Sequence, residues 1–179
     1  MAPVHVVGST SGAVDFGSAT VRVDPVLAFS SGFLATLAIT TVMYVLPAIG
    51  VAQVDLPIWV ARLFVADPVE VEAVGLAVHL TLGFGFAWIF ATLVEPRLTL
   101  SPGKNGLLFG AVLWVFAQLI GVPALSELAS VIRPDRGVPV GWLASGLGVG
   151  AAAASLLAHL AYGGTLGFVY GRQRAGRRG

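Results

Sequence analysis

Four runs of this chain, 26–51, 71–94, 105–122 and 147–171, are apolar over lengths that few environments accommodate. A bilayer hydrocarbon core of ~30 Å needs about 20 apolar residues at 1.5 Å rise each. A helix that is apolar on every side is stable there, because lipid stands where a soluble protein would need a core. The third run is the shortest. The overall balance agrees: 56% of the 179 residues are hydrophobic and 11% charged, against roughly a quarter charged in a soluble domain. The expected fold is therefore all-α, an integral membrane four-helix bundle over residues 24–171. A mobile cytoplasmic tail is expected over 1–23 and a basic cytoplasmic tail over 172–179. Residues 1–23 contain no apolar stretch of signal-peptide length, so they are expected to stay with the mature protein.

Helix starts carry a repeated local signal. Asp24-Pro25, Asp67-Pro68 and Ser101-Pro102 each place a side-chain oxygen where it can bond orphan amides, followed by a residue with no N–H to lose. Glu70 adds a capping-box partner for Asp67. Between the spans, Asp55-Leu56-Pro57 predicts a short helix through Phe64, and Ser126 predicts another that ends before Pro134. Trp59 and Trp142 suit the membrane interface. Orientation follows from basic residues: Arg22, Arg97, Lys104, Arg172, Arg174, Arg177 and Arg178 fall on one side. Arg62, Arg133 and Arg136 on the other are diluted by Asp55, Asp67, Glu70, Glu72, Glu127 and Asp135. The positive-inside rule then puts both termini in the cytoplasm.

Several chemistries are unsupported. A net charge of +1 without an aromatic-interleaved basic patch leaves nothing to attract nucleic acid. The absence of cysteine removes thiolate catalysis, disulfides and thiolate metal ligation, and no metal site is expected. The run Gly146-Leu147-Gly148-Val149-Gly150 follows no strand, so close helix packing explains it better than a dinucleotide loop. Ser126 and Ser155 have no in-register acid–base pair, and no catalytic residue is assigned. Trp88 and Trp114 lie within spans and are expected to serve packing. The arginine-rich tail would hold topology and touch anionic headgroups.

The chain also repeats itself. Residues 79–91, HLTLGFGFAWIFA, align with 159–171, HLAYGGTLGFVYG, on their histidines. Gly32 to Pro47 corresponds more loosely to Gly106 to Pro123. Two tandem helical hairpins follow, each crossing twice, so a pseudo-two-fold axis along the membrane normal is expected to relate them. His79 and His159 fall at similar depth in the outer half of the bilayer. Below His79 come Gly83, Ala87 and Ala91, and below His159 come Gly163, Gly167 and Gly171, each four residues apart on one face. Such small-residue ladders let helix backbones approach closely, which turns both histidines toward a protein interface.

A buried imidazole needs a partner, since an unsatisfied polar group in hydrocarbon costs several kcal/mol. Three readings compete. The leading one is interhelical hydrogen bonding between His79 and His159, or from either to Thr40, Thr41, Tyr44, Gln118 or Tyr162, with no cofactor. The second is bis-histidine ligation of a b-type haem, against which the ladders argue because haem forces helices apart. The third is a proton or solute path in which the histidines titrate. The leading function is a non-enzymatic accessory or scaffolding protein of the lipid bilayer, assembling with itself or with a larger membrane complex.

The first-helix glycine with Met43 and Pro47, the Val54-Asp55-Leu56-Pro57 segment, His79 with Gly83, Gly106 to Trp114, and His159, Tyr162 and Gly163 through Tyr170-Gly171 together resemble an uncharacterised family of small prokaryotic four-helix membrane proteins, a domain of unknown function. The resemblance covers most of the chain after the tail. It implies a location in the prokaryotic cytoplasmic membrane and no activity, so function has to come from the site.

Overall fold

A computed structural model of the chain describes residues 23–51, 54–135 and 142–176. The expected mobile tail lies outside these apart from Val23, as do Arg136, Arg177 and Arg178. Among the described residues every element is helical and none is a strand. Asp24 opens α1 (Pro25–Ala48) by accepting the Leu27 amide at 3.0 Å. Asp55 opens α2 (Leu56–Phe64) through the Ile58 amide at 3.2 Å. Asp67 opens α3 (Pro68–Val94) through the Val69 and Glu70 amides at 2.9 and 3.2 Å. In all three a proline sits in the first turn, where its missing N–H has no consequence. Ser101 differs from expectation: it precedes α4 (Pro102–Ile132) but its hydroxyl makes no capping bond. The fifth helix, α5, is Val149–Arg174, and helical backbone continues through Gly176 into the segment read as a tail.

Helices α1, α3, α4 and α5 are long and apolar enough to cross a membrane. They have almost no one-sided hydrophobicity and turn large side chains such as Phe33, Leu76, Val115 and Leu157 outward. The exceptions are α2 and the last stretch of α4, Val122–Ile132, both of which are clearly amphipathic. This is the pattern of elements whose outer surface meets hydrocarbon.

Two sequence expectations are corrected. The third run does not stop at Val122 to be followed by a separate helix from Ser126; α4 is continuous for 31 residues and is the longest of the four. The reason is a π-helical turn over Ala117–Gly121, in which the Val122 amide bonds Ala117 O. Widening the backbone just ahead of Pro123 accommodates a residue that lacks an N–H and whose ring crowds the preceding turn. The last span begins at Val149 because Gly148 has φ +86° and leaves the helix. A Cβ on Gly148 or Gly150 would meet nothing within 4 Å. The glycine run is therefore explained at Gly148 by backbone conformation and not by close packing. Just before it, Leu143 and Ala144 also have φ near +55°, a left-handed turn held by burying Ala144 against Val54, Val122 and Ala151.

The long helices pack as two antiparallel pairs. A Cβ on Gly32 of α1 would lie 2.7 Å from the Ala87 Cβ of α3, and Gly83 faces Thr36. On the other pair, Gly106 of α4 faces Gly163 and Gly167 of α5, and Gly110 faces the His159 backbone. The pairs join through α1, which lies along α5. Helices α3 and α4 come together mainly at one end, where the Phe90 and Phe109 rings are 5.3 Å apart and Phe90 meets Tyr170 edge-on at 6.1 Å. That end is closed by an ion pair between Glu95 and Arg174. At the opposite end, α2 lies on α3 and is tied to the end of α4 by the Arg133 Nε–H donating to Leu63 O at 3.3 Å.

Candidate functional site

Because α3 and α4 touch only near Phe90, the space beyond that contact stays open. A cavity of about 410 Å³ occupies it. Its walls are His79, Leu82 and Phe86 from α3, Leu113, Phe116 and Gln118 from α4, and Ser155, His159 and Tyr162 from α5. Ile39 and Met43 of α1 border it, and Leu56 and Val60 of α2, Val122 and Leu125 of α4 and Ala158 of α5 add to the lining. Nearly all of this surface is hydrocarbon, with a few polar groups from three helices converging on it.

Those polar groups are distributed unequally. Gln118 is fully buried; its Nε2 donates to Ser155 Oγ at 2.9 Å while its Oε1 has no partner. The Ser155 carbonyl bonds His159 Nδ1 at 2.8 Å within α5. Since a carbonyl only accepts, Nδ1 carries the proton, and in the neutral ring Nε2 holds a lone pair. The Tyr162 hydroxyl donates to Gly83 O at 2.6 Å, joining α5 to α3 where their backbones are otherwise apart. His79 is half-buried, forms no hydrogen bond among the described residues and borders the same cavity as His159.

The residues singled out from sequence thus separate into two groups. His79, Gln118, His159 and Tyr162 meet at one cavity. Thr40, Thr41 and Tyr44 do not: Thr40 donates to Thr36 O at 2.7 Å and Thr41 to Leu37 O at 2.8 Å, and Tyr44 is 69% exposed. None of the five expected partners bonds either imidazole. A threonine in a helix has the carbonyl four residues back always within reach, and that local bond satisfies it first. Ser155, which the sequence offered only as a discounted nucleophile, is the residue that holds both Gln118 and His159 in place.

The family comparison can be set beside this geometry. A family of unknown function, DUF6789, matches residues 23–178. The chain belongs to that family. No curated protein and no solved structure matches it. Membership in DUF6789 covers both hairpins and every cavity-lining residue, and carries no activity with it.

The small-residue ladders make close helix contacts, and they do so within each pair: they hold α3 to α1 and α5 to α4, and do not draw α3 toward α5. The objection that ladders leave no room between the histidine-bearing helices is thereby removed. His79 and His159 are the two metal-ligating side chains here, and among the described residues no group of three His, Cys, Asp or Glu comes together. At the other end, a second cavity of about 310 Å³ lies beside the Glu95–Arg174 pair and Asn105, whose Oδ1 is the second buried polar atom without a partner.

Proposed function

We propose that this protein is a non-enzymatic membrane protein whose two helical hairpins enclose a binding chamber for an apolar molecule, working as an accessory or scaffolding component of a prokaryotic cytoplasmic membrane. The observation that carries the reading is the cavity: an apolar space of about 410 Å³ with a small set of converging polar groups, the common form of a small-molecule site. Equivalent contacts support the duplicated-hairpin origin. Gly32 meets Gly83 and Ala87 in one pair as Gly106 meets Gly163 and Gly167 in the other, the positions that the histidine alignment equates. The pseudo-two-fold relation is opened on one side, since α1 lies along α5 while α3 and α4 diverge.

Four experiments test this. In nanodiscs, an alkyl diazirine photoprobe is expected to label peptides carrying Leu113, Phe116 and Ala158, and the space-filling variant Ala158→Phe is expected to lose that labelling while remaining folded. Labelling spread evenly over lipid-facing residues would refute the chamber. Orientation is tested by single cysteines, for which the cysteine-free chain gives no background. With both termini cytoplasmic, Ala66→Cys reacts with an impermeant maleimide from outside and Ser101→Cys does not; the reverse pattern would invert the topology. Assembly through the exposed apolar faces predicts intermolecular crosslinks in native membranes. Purified protein expressed with haem available is expected to show no Soret absorbance, and a Soret band would replace this reading with bis-histidine haem ligation.

A further inference from the structure

We propose that the chamber selects an apolar alcohol or phenol, a molecule whose one hydroxyl proton goes to the unpartnered Gln118 Oε1. The inference rests on the reading of the cavity as a ligand chamber and adds the chemistry of the ligand's polar end. Three observations lead to it. Gln118 is fully buried, its amide nitrogen is already committed to Ser155 Oγ at 2.9 Å, and its oxygen is left without a partner. The His159 ring gives its Nδ1 proton to the Ser155 carbonyl at 2.8 Å, so its other nitrogen is an acceptor too. Tyr162, the nearby hydroxyl that could have served either acceptor, has its proton engaged by Gly83 O at 2.6 Å.

Gln118 Oε1 and His159 Nε2 are acceptors, while the Gln118 amide, the His159 Nδ1–H and the Tyr162 hydroxyl are donors already used inside the protein. A ligand that brings only an acceptor, such as a ketone or an ether, can take a proton from His79 but leaves Gln118 Oε1 orphaned. A hydroxyl supplies the missing proton, and a phenol or alcohol carries it on an apolar body that the remaining walls accept. About 410 Å³ lies within the ~300–1,000 Å³ usual for small-molecule pockets, toward the small end. His79, without a hydrogen bond of its own, borders the same space and can take the second role of a hydroxyl, donating to its oxygen.

The test uses the full-length protein in nanodiscs, with competition against the photoprobe by three ligands of matched shape: 4-pentylphenol, 4-pentylanisole and 4-pentylacetophenone. The phenol is expected to compete at least ~10-fold more strongly than its methyl ether, equivalent to about 1.4 kcal/mol. In Gln118→Met the two are expected to differ by no more than about 2-fold, because the acceptor is gone while the apolar walls remain. Equal competition by phenol and anisole in the wild type would overturn the hydroxyl selectivity and leave the chamber standing. Stronger competition by the acetophenone would overturn it also, since it would mean that the Gln118 amide points the other way. Failure of all three to compete for chamber peptides would overturn the chamber reading itself. The wild-type comparison decides the matter even if the Gln118 variant does not fold.

Discussion

Substituting Gly106 by alanine probes what holds the molecule together most directly. The added methyl would face Gly163 O at less than contact distance and lie 2.7 Å from Gly167 Cα and 2.8 Å from Gly167 N, all of them backbone atoms that no rotamer change can move aside. To reach even the 3.4 Å at which ordinary van der Waals contact begins, α4 and α5 must separate along the length they share. A gap of ~0.5–1 Å forfeits a quarter to a half of each dispersion contact across it, and overpacking of this kind costs about 1–3 kcal/mol. Alanine's better helix propensity returns up to ~1 kcal/mol, so Gly106→Ala is expected to lose about 0–2 kcal/mol net against wild type, and about 1–3 kcal/mol against a glycine-to-alanine change that makes no contact. Gly85→Ala is the internal control: it lies within α3 with nothing within 4 Å of the added methyl, and is expected to be neutral or more stable by up to ~1 kcal/mol. Equilibrium unfolding in SDS and mixed micelles measures both. Equal stability of the two variants would refute the claim that α4 and α5 are joined by backbone contact at their glycines.

Other consequences follow from single contacts. Removing the Tyr162 hydroxyl as phenylalanine breaks the α5-to-α3 bond and is expected to lower stability by about 1 kcal/mol in the same unfolding assay. Asp67→Ala is expected to cost about 1 kcal/mol while Ser101→Ala costs nothing measurable, because Asp67 accepts two amides and Ser101 none. Burial pushes the Asp55 carboxyl above its ordinary value of 3.8, with Glu72 adding to the rise and the Ile58 amide and Arg62 opposing it. The folded protein then holds a proton that the unfolded chain releases between 3.8 and that raised value, so stability falls as pH rises through this window. Asp55→Asn keeps a capping oxygen and is expected to flatten this part of the pH profile; an unchanged profile would clear Asp55 of the effect.

What the sequence made legible was whatever depends on local pattern. Span existence is set by apolar length, and the caps at Asp24, Asp55 and Asp67 by one carboxylate within reach of the next turn's amides. The ladders were legible because four-residue spacing puts Gly163, Gly167 and Gly171 on one face whatever they pack against. Their partner was not, since the same face could have met α3 or α4, and only the assembled structure gives it to α4. Pro123 looked like a helix end because the π-turn that carries α4 past it leaves no compositional trace. The bonds expected for the histidines from Thr40 and Thr41 failed for a similar reason: a hydroxyl on a helix is satisfied by its own backbone before any tertiary partner is available.

The chamber is a consequence of where close packing is spent. Glycine and alanine faces pull α3 onto α1 and α5 onto α4, and α1 lies along α5, so three of the four neighbouring faces are used. The fourth, α3 against α4, is pinned at one end by Phe90, Phe109 and Tyr170 and left open beyond it. Large, stiff aromatic side chains at the pinned end set a separation that the small-residue faces elsewhere do not share, and the two helices diverge from there toward α2. In a membrane such an opening need not be empty, because apolar molecules are abundant around it. Any of them could fill the hydrocarbon walls equally well. The discrimination proposed here lies with Gln118, which Ser155 holds in the wall of the opening with its amide oxygen unpartnered.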